Sequence, residues 1–195
     1  LDRKVEGLAA NDELLRRAGE GRGLTRPELA VLLSTAKLAL QDAIENSDLP
    51  DDPALASDLA AAFPDEMQRD FAQAIADHQL RREIIATKIA NRIINRMGIV
   101  HPFELVEEEG CALGDIAAAF VAVGRLLEMP AIWDALDEAK IDEGARLSLF
   151  AQASSAMTSQ MADLLRVTQS LSQPGPVVAR LEPGVDRLTA GVDAL

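Results

Sequence analysis

Apolar residues recur along this chain at steps of three and four and almost nowhere in strict alternation, the pattern of helices packed side by side. The densest case is residues 78–98, HQLRREIIATKIANRIINRMG. Its apolar set is Ile85, Ala86, Ile89, Ala90, Ile93, Ile94 and Met97, which wraps about half of a helix turning roughly 100° per residue. Leu80 and Ile84 fall on the far side, among Asn91 and Asn95, so a helix over 80–97 is expected to be enclosed nearly all round. Arg81 and Arg82 lie in its first turn, where the helix dipole favours anions. Those charges need partners from other segments. Gly98 stands where a left-handed cap is usual.

The same spacing predicts the other elements. Residues 11–18 form a short first helix with Asn11 as its cap, followed by a connector containing Gly19, Gly21 and Gly23. Thr25 and Glu28 make a T-x-x-E capping box. Behind it Leu29, Leu32, Leu33, Ala36, Leu40 and Ile44 form an apolar stripe on a helix that runs to about Asn46. SDLPDDP then stops the chain and restarts it, with Asp52 as cap and Pro53 at the first helical position. Phe63-Pro64 marks a further restart, into a helix to about Asp77. His101 and Pro102 open a shorter helix that ends before Gly110.

Residues 113–128 carry Leu113, Ile116, Ala117, Phe120, Val123, Gly124 and Leu127 on one face, with Ala118, Ala119 and Ala122 covering much of the rest. Neighbours are expected close on two sides. Pro130 starts a short helix through Trp133. The longest element spans 143–171, with a seam of Leu147, Phe150, Ser154, Met157, Met161, Leu164, Thr168 and Leu171. Packing of that helix on its own domain is favoured over an intermolecular coil. Gln173 to Pro176 form a break, and 175–182 and 184–195 are short terminal segments.

These elements predict an all-α fold, a compact multi-helix bundle of about eight to ten helices. Three parts are expected: 1–22, a short helix and linker continuing from upstream sequence; 23–173, the main helical domain; and 174–195, short helices packed on it. The charged pattern opens abruptly at Leu1, which fits an excised piece of a longer polypeptide.

Charge and composition narrow the function. With 19 basic and 32 acidic residues the chain carries a formal charge of −13, which opposes nucleic acid and anionic membranes as partners. One Trp, five Phe and no Tyr leave few platforms for stacking bases. There is no run of about 18 apolar residues, so no membrane-spanning helix is expected. Cys111 is the only cysteine. A disulfide within the chain and a thiolate metal site are excluded, a cytoplasmic location is expected, and Cys111 reads as a small buried hydrophobe.

Candidate chemistry is sparse. His78 and His101 flank one helix and lie roughly 30 Å apart, so they cannot share a metal; helix-end roles are expected instead. GEGRG at 19–23 follows a helix and has the wrong spacing for a dinucleotide loop. The acidic pairs and runs at Asp51-Asp52 and Glu107 to Glu109 lack calcium-loop spacing. The Glu run reads as a solvated face. No catalytic, cofactor-binding or metal residue is assigned.

The remaining candidates are contact residues. Arg82 falls on the apolar side of its helix, Glu83 near the edge, and Arg81 points away. Arg82 is expected to meet an acidic side chain or exposed helix C-terminal carbonyls, with a partner inside the domain favoured somewhat over one in another domain. Asn91 and Asn95, four apart, form a polar patch on the opposite side. Arg81, Arg82, Glu83, Asn91 and Asn95 are therefore the candidates for structural or interdomain contact.

The 78–98 stretch, together with GLTRPELAVLL at 23–33, SDLPDD at 47–52 and RLEPGVDRL at 180–188, resembles the C-terminal region of the large bacterial NAD-specific glutamate dehydrogenases. The resemblance runs in order and register from about Gly23 to near the C-terminus. Gln79 departs from it, since relatives often have proline there, and the long helix diverges at Ser154, Ser155 and Ser159. The family oxidises L-glutamate with NAD and water to 2-oxoglutarate, ammonium and NADH. Its catalytic lysine and aspartate and its nucleotide-binding glycines lie upstream of the region matched here. The resemblance thus implies a non-catalytic helical domain that binds no cofactor itself, NAD belonging to the parent oxidoreductase. The upstream catalytic domain is its implied partner, within a homo-oligomer. It would act in stabilisation, gating or oligomer contacts. The alternative reading is a free-standing acidic helical adaptor that binds a partner helix.

Overall fold

The capping box at Thr25 is in place and starts the first long helix. In the computed structural model, which describes residues 3–167, the Thr25 hydroxyl accepts from the Glu28 backbone N–H, and the Glu28 carboxylate accepts from the Thr25 N–H at 2.7 Å. Ten α-helices follow one another among the described residues: α1 Asn11–Gly19, α2 Arg26–Glu45, α3 Ala56–Ala60, α4 Asp65–Asp70, α5 Ala72–Ala76, α6 Arg81–Met97, α7 His101–Glu109, α8 Leu113–Leu126, α9 Met129–Glu138 and α10 Glu143–Val167. Two 3-10 turns, Leu49–Asp51 and Pro53–Leu55, join α2 to α3. No strand occurs among these residues. No single helix among them is long and apolar enough to cross a membrane.

α6 is the spine. Its buried set is Ile85, Ala86, Ile89, Ala90, Ile93, Ile94 and Met97, the seven positions picked out by periodicity. It lies antiparallel to α2, burying Ala36, Leu40 and Ile44 against it. α8 closes the core from the other side. Every residue from Ile116 to Val123 is buried, because small Ala117, Ala118, Ala119 and Ala122 let helices approach on more than one face. α10 lies across α8, α7, α6 and α9, and its Met157, Met161 and Leu164 fill the remaining space. Burying such side chains stabilises the fold by about 1.5–3 kcal/mol each.

Several expectations fail locally, each for a physical reason. Asn11 does not cap α1: Ala10 holds the cap position, and the Asn11 side chain accepts from Arg3 instead. The helix expected up to Asp77 is broken at Phe71 (φ −131°, ψ 29°), and the turn after it carries Ile75 into the core beside α3. Gly98 has the positive φ expected of a cap, 81°, but ψ is 179°. It sits in an extended region open essentially to glycine alone, not in the left-handed helical one. Gly110, with φ 64° and ψ 28°, is the left-handed cap of α7. α9 continues past Trp133 to Glu138.

Two apolar stripes are only partly covered. On α2, Leu29 and Leu33 are exposed and Leu32 is half-buried. On α10, the seam is buried from Ser154 to Leu164, while Leu147 is exposed. The positions Thr168 and Leu171, the expected break at Gln173 to Pro176, the segments 175–182 and 184–195, the 174–195 part and the 180–188 motif lie outside the described residues. α1 buries none of its own residues.

Candidate functional site

Arg82 meets both kinds of partner that its place on the helix implied. One guanidinium nitrogen pairs with the Asp51 carboxylate. The other donates to the Glu45 carbonyl at 2.6 Å and the Ser47 carbonyl at 2.8 Å. These carbonyls belong to the last turn of α2 and the residues just beyond it, which carry partial negative charge and have no helical partner. Arg81 does not point away: it pairs with the other oxygen of the same Asp51 carboxylate. One acidic residue in a 3-10 turn thus holds two adjacent arginines at the start of α6, fixing that start against the end of α2. Asp52, next to it, accepts from the Ala54 N–H at 2.9 Å and caps the following turn.

The other contact candidates are placed apart from this node. Glu83 and Asn91 are half-buried. Asn95 is exposed and accepts from Lys37 Nζ at 3.5 Å, across the α2–α6 junction. The five candidates therefore do not form one site. Arg81 and Arg82 work at one end of α6 and Asn95 near the other.

The histidines have local roles at the two ends of α6. His78 Nδ1 accepts from the Leu80 N–H at 3.1 Å, and its ring packs tilted on Phe63 at 5.6 Å. His101 pairs with Glu104 at 3.1 Å within the first turn of α7. Cys111 is half-buried. Burial raises its thiol above the ordinary range, and the nearby Asp115 carboxylate adds to the effect. Both effects disfavour the thiolate. Among the described residues no three His, Cys, Asp or Glu side chains converge so as to hold a metal ion.

The structure also joins residues that no local pattern could pair. Arg92 reaches Asp58 on α3. Arg96 reaches Asp137 on α9 at 2.9 Å and lies over the Trp133 and Phe150 rings, at 5.4 and 5.6 Å. Those two rings are stacked, 5° from parallel. Arg125 donates to the Ala54 carbonyl. Asp58, Arg92, Arg96, Arg125 and Trp133 border a cleft of about 390 Å³ that Phe120, Met129 and Met157 also line. Elsewhere Arg166 on α10 makes a two-nitrogen contact with Glu109 on α7, at 2.5 and 2.9 Å. Glu109 is therefore not part of a solvated face: its side chain is only 8% exposed.

At the other extreme of the bundle, Arg17 of α1 donates to both oxygens of Glu28, at 3.0 and 3.1 Å, and to Glu13 at 2.7 Å. Hydrogen bonds from Arg16 and Arg17 hold the Glu13 carboxyl down at about 2. Glu28 is lowered too, first by the Thr25 backbone N–H and hydroxyl and then by Arg17.

Comparison with known proteins identifies the family. Residues 21–195 match the family model described as glutamate dehydrogenase, C-terminal. The chain is 40% identical over 130 residues to an NAD-specific glutamate dehydrogenase of Pseudomonas aeruginosa, covering 67% of this chain and 8% of that one. A protein of the same name from Halomonas elongata is 35% identical over 137 residues, 70% of this chain and 8% of its own. One from Mycobacterium tuberculosis is 35% identical over 133 residues, with 68% and 8% covered. The match thus spans about 8% of the length of these curated relatives.

Proposed function

Starting from a chain that belongs to the glutamate dehydrogenase C-terminal family, we propose that it is the non-catalytic helical domain of a much longer NAD-dependent glutamate dehydrogenase. In the parent reaction L-glutamate, NAD and water give 2-oxoglutarate, ammonium and NADH. The catalytic core and the NAD site belong to the upstream part of that polypeptide, a cytoplasmic homo-oligomer. This domain packs on the core and stabilises it.

The observation that carries the reading is how the charged side chains are used. Asp51, Asp58, Glu109 and Asp137 each engage an arginine on another helix or turn, and Arg82 is further committed to helix-end carbonyls. General acid–base work needs a titratable group aimed at a substrate position; here these groups join helices to one another. Glu83, Asn91 and Asn95 keep the capacity for contact with the neighbouring domain.

Two measurements test this. The isolated 195-residue chain is expected to give no glutamate-dependent NAD reduction, and any turnover in that assay would overturn the inert role. Deleting this region from the parent enzyme is expected to lower the temperature at which its activity is lost. An unchanged inactivation temperature would remove the stabilising role.

A further inference from the structure

Exposed apolar side chains occur in several places, Phe71 and Leu80 among them, but two helices leave one face bare at the end of the bundle where α2 begins. α2 and α6 are antiparallel: Arg82 at the start of α6 reaches the end of α2, while Asn95 near the end of α6 meets Lys37. α6 therefore stops beside the middle of α2. Residues 26–34 of α2 project beyond it by roughly 13 Å at the helical rise per residue. Along this projection the usual burial is inverted. The buried residue is Glu28, while Leu24, Leu29 and Leu33 are 36%, 44% and 39% exposed.

α10 shows the same break in coverage. Its seam is buried from Ser154 onward, yet Leu147 is 61% exposed and Leu149 41%. Val100, in the turn between α6 and α7, is 54% exposed. Gly98, His101 and Leu147 line one open groove, so that turn and the start of α10 lie together at the end of α6 beyond which α2 projects. At the opposite end the Asp51 node and the pair of Glu109 with Arg166 tie the helices together, with Leu80 exposed beside the node. Stripes that are buried along part of their length and bare along the rest mark a surface whose partner lies outside the molecule.

We propose that this end of the bundle is where the preceding part of the same polypeptide docks, covering Leu24, Leu29, Leu33, Val100, Leu147 and Leu149. The proposal rests on the reading of the chain as one domain of a longer enzyme. The occupant follows from where the rest of the chain lies. The family model is a C-terminal one that begins at residue 21, and the match spans only 8% of the relatives' length. The remainder therefore precedes α1, which Arg17 ties to Glu28 at the start of α2, near Leu24 and Leu29. Tethering there gives it a high effective concentration at this face. Arg26 and Lys37 border the leucines on a chain of net charge −13, so the facing surface of the occupant is apolar at its centre with carboxylates around it.

The test compares hydrogen exchange in the native long polypeptide and in this 195-residue chain. Coverage suppresses local opening, so peptides spanning 24–34 and 145–150 are expected to exchange at least about tenfold more slowly in the long protein. A Leu29→Glu/Leu33→Glu double substitution should leave the melting temperature of the short chain unchanged and erase the difference in the long one. Equal exchange of these peptides in both proteins overturns the docking face. Slowing of the same peptides in the short chain as its concentration rises assigns the face to a second copy and overturns the occupant. The parent reading fails separately: an antibody to the chain would then detect a native species of 20.9 kDa instead of a far larger one.

Discussion

Arginine, not lysine, stands at the Asp51 node, and the geometry gives the reason. Arg82 must reach a carboxylate and two carbonyls of different residues at once, which a planar fork of donors can do and a single ammonium cannot. The group is about one-third exposed, so solvent screens the ionic part and the bonds to carbonyls dominate. Arg82→Ala is expected to destabilise the chain by about 1–2 kcal/mol, as the last turn of α2 loses its donors. Arg82→Lys should recover less than half of that. Denaturant titration of both variants measures it, and an Arg82→Ala chain as stable as the parent would make the node ornamental. Asp51→Asn alone should cost less, because Arg82 keeps its carbonyls.

At the scale of the element, what could be read from the sequence was what neighbouring residues decide among themselves. The Thr25–Glu28 box, the seven buried positions of α6 and the stop at Gly110 are set within one or two turns. The requirement that Arg82 find an acid or a helix end was also legible, because its angular position on α6 follows from spacing. That Asp51 would serve both arginines was not, since it depends on how a 3-10 turn folds back onto α6. The pairs Asp58–Arg92 and Glu109–Arg166 are likewise products of packing, and nothing local distinguishes these carboxylates from solvated ones. Phe71 is a further case: the stretch around it suits a continuous helix, and only the demand to bury Ile75 beside α3 breaks it.

α10 carries the element-scale test. Ser154 is buried in the seam, 8% exposed, and its hydroxyl has no hydrogen-bond partner among the described residues. A buried hydroxyl without a partner loses hydration and gains nothing in return. Ser154→Ala is therefore expected to leave the melting temperature unchanged or raise it, by up to about 1 kcal/mol in stability. A loss above about 0.5 kcal/mol, beyond what a neutral substitution gives, would mean that the hydroxyl holds α10 in place.

The molecule as a whole divides into an apolar core and a charge-held appendage, and acid should separate them. The core buries only three polar or charged residues among the described ones, Glu28, Asp52 and Ser154. α1 buries none of its residues and is tied to α2 through Arg17 and Glu28. Glu13 and Glu28 both ionise below the ordinary carboxylate value of 4.5 in the folded chain. Groups lowered in this way contribute their full stabilisation above that value and lose it as the pH falls toward the folded one. For Glu13 the window runs from 4.5 down to about 2. The net charge of −13 also shrinks on the way down, which relieves repulsion across the surface and opposes any loosening of the core. Hydrogen exchange over residues 11–19 is therefore expected to accelerate, after correction for the intrinsic pH dependence, as the pH falls through this window. Fluorescence of the lone Trp133, buried between α9 and α10, should hold steady to lower pH. Salt near 1 M at neutral pH, where the screening length falls to about 3 Å, should loosen α1 in the same way without protonating anything. If Trp133 and α1 instead respond together to both treatments, α1 is an integral part of the bundle and the division drawn here is wrong.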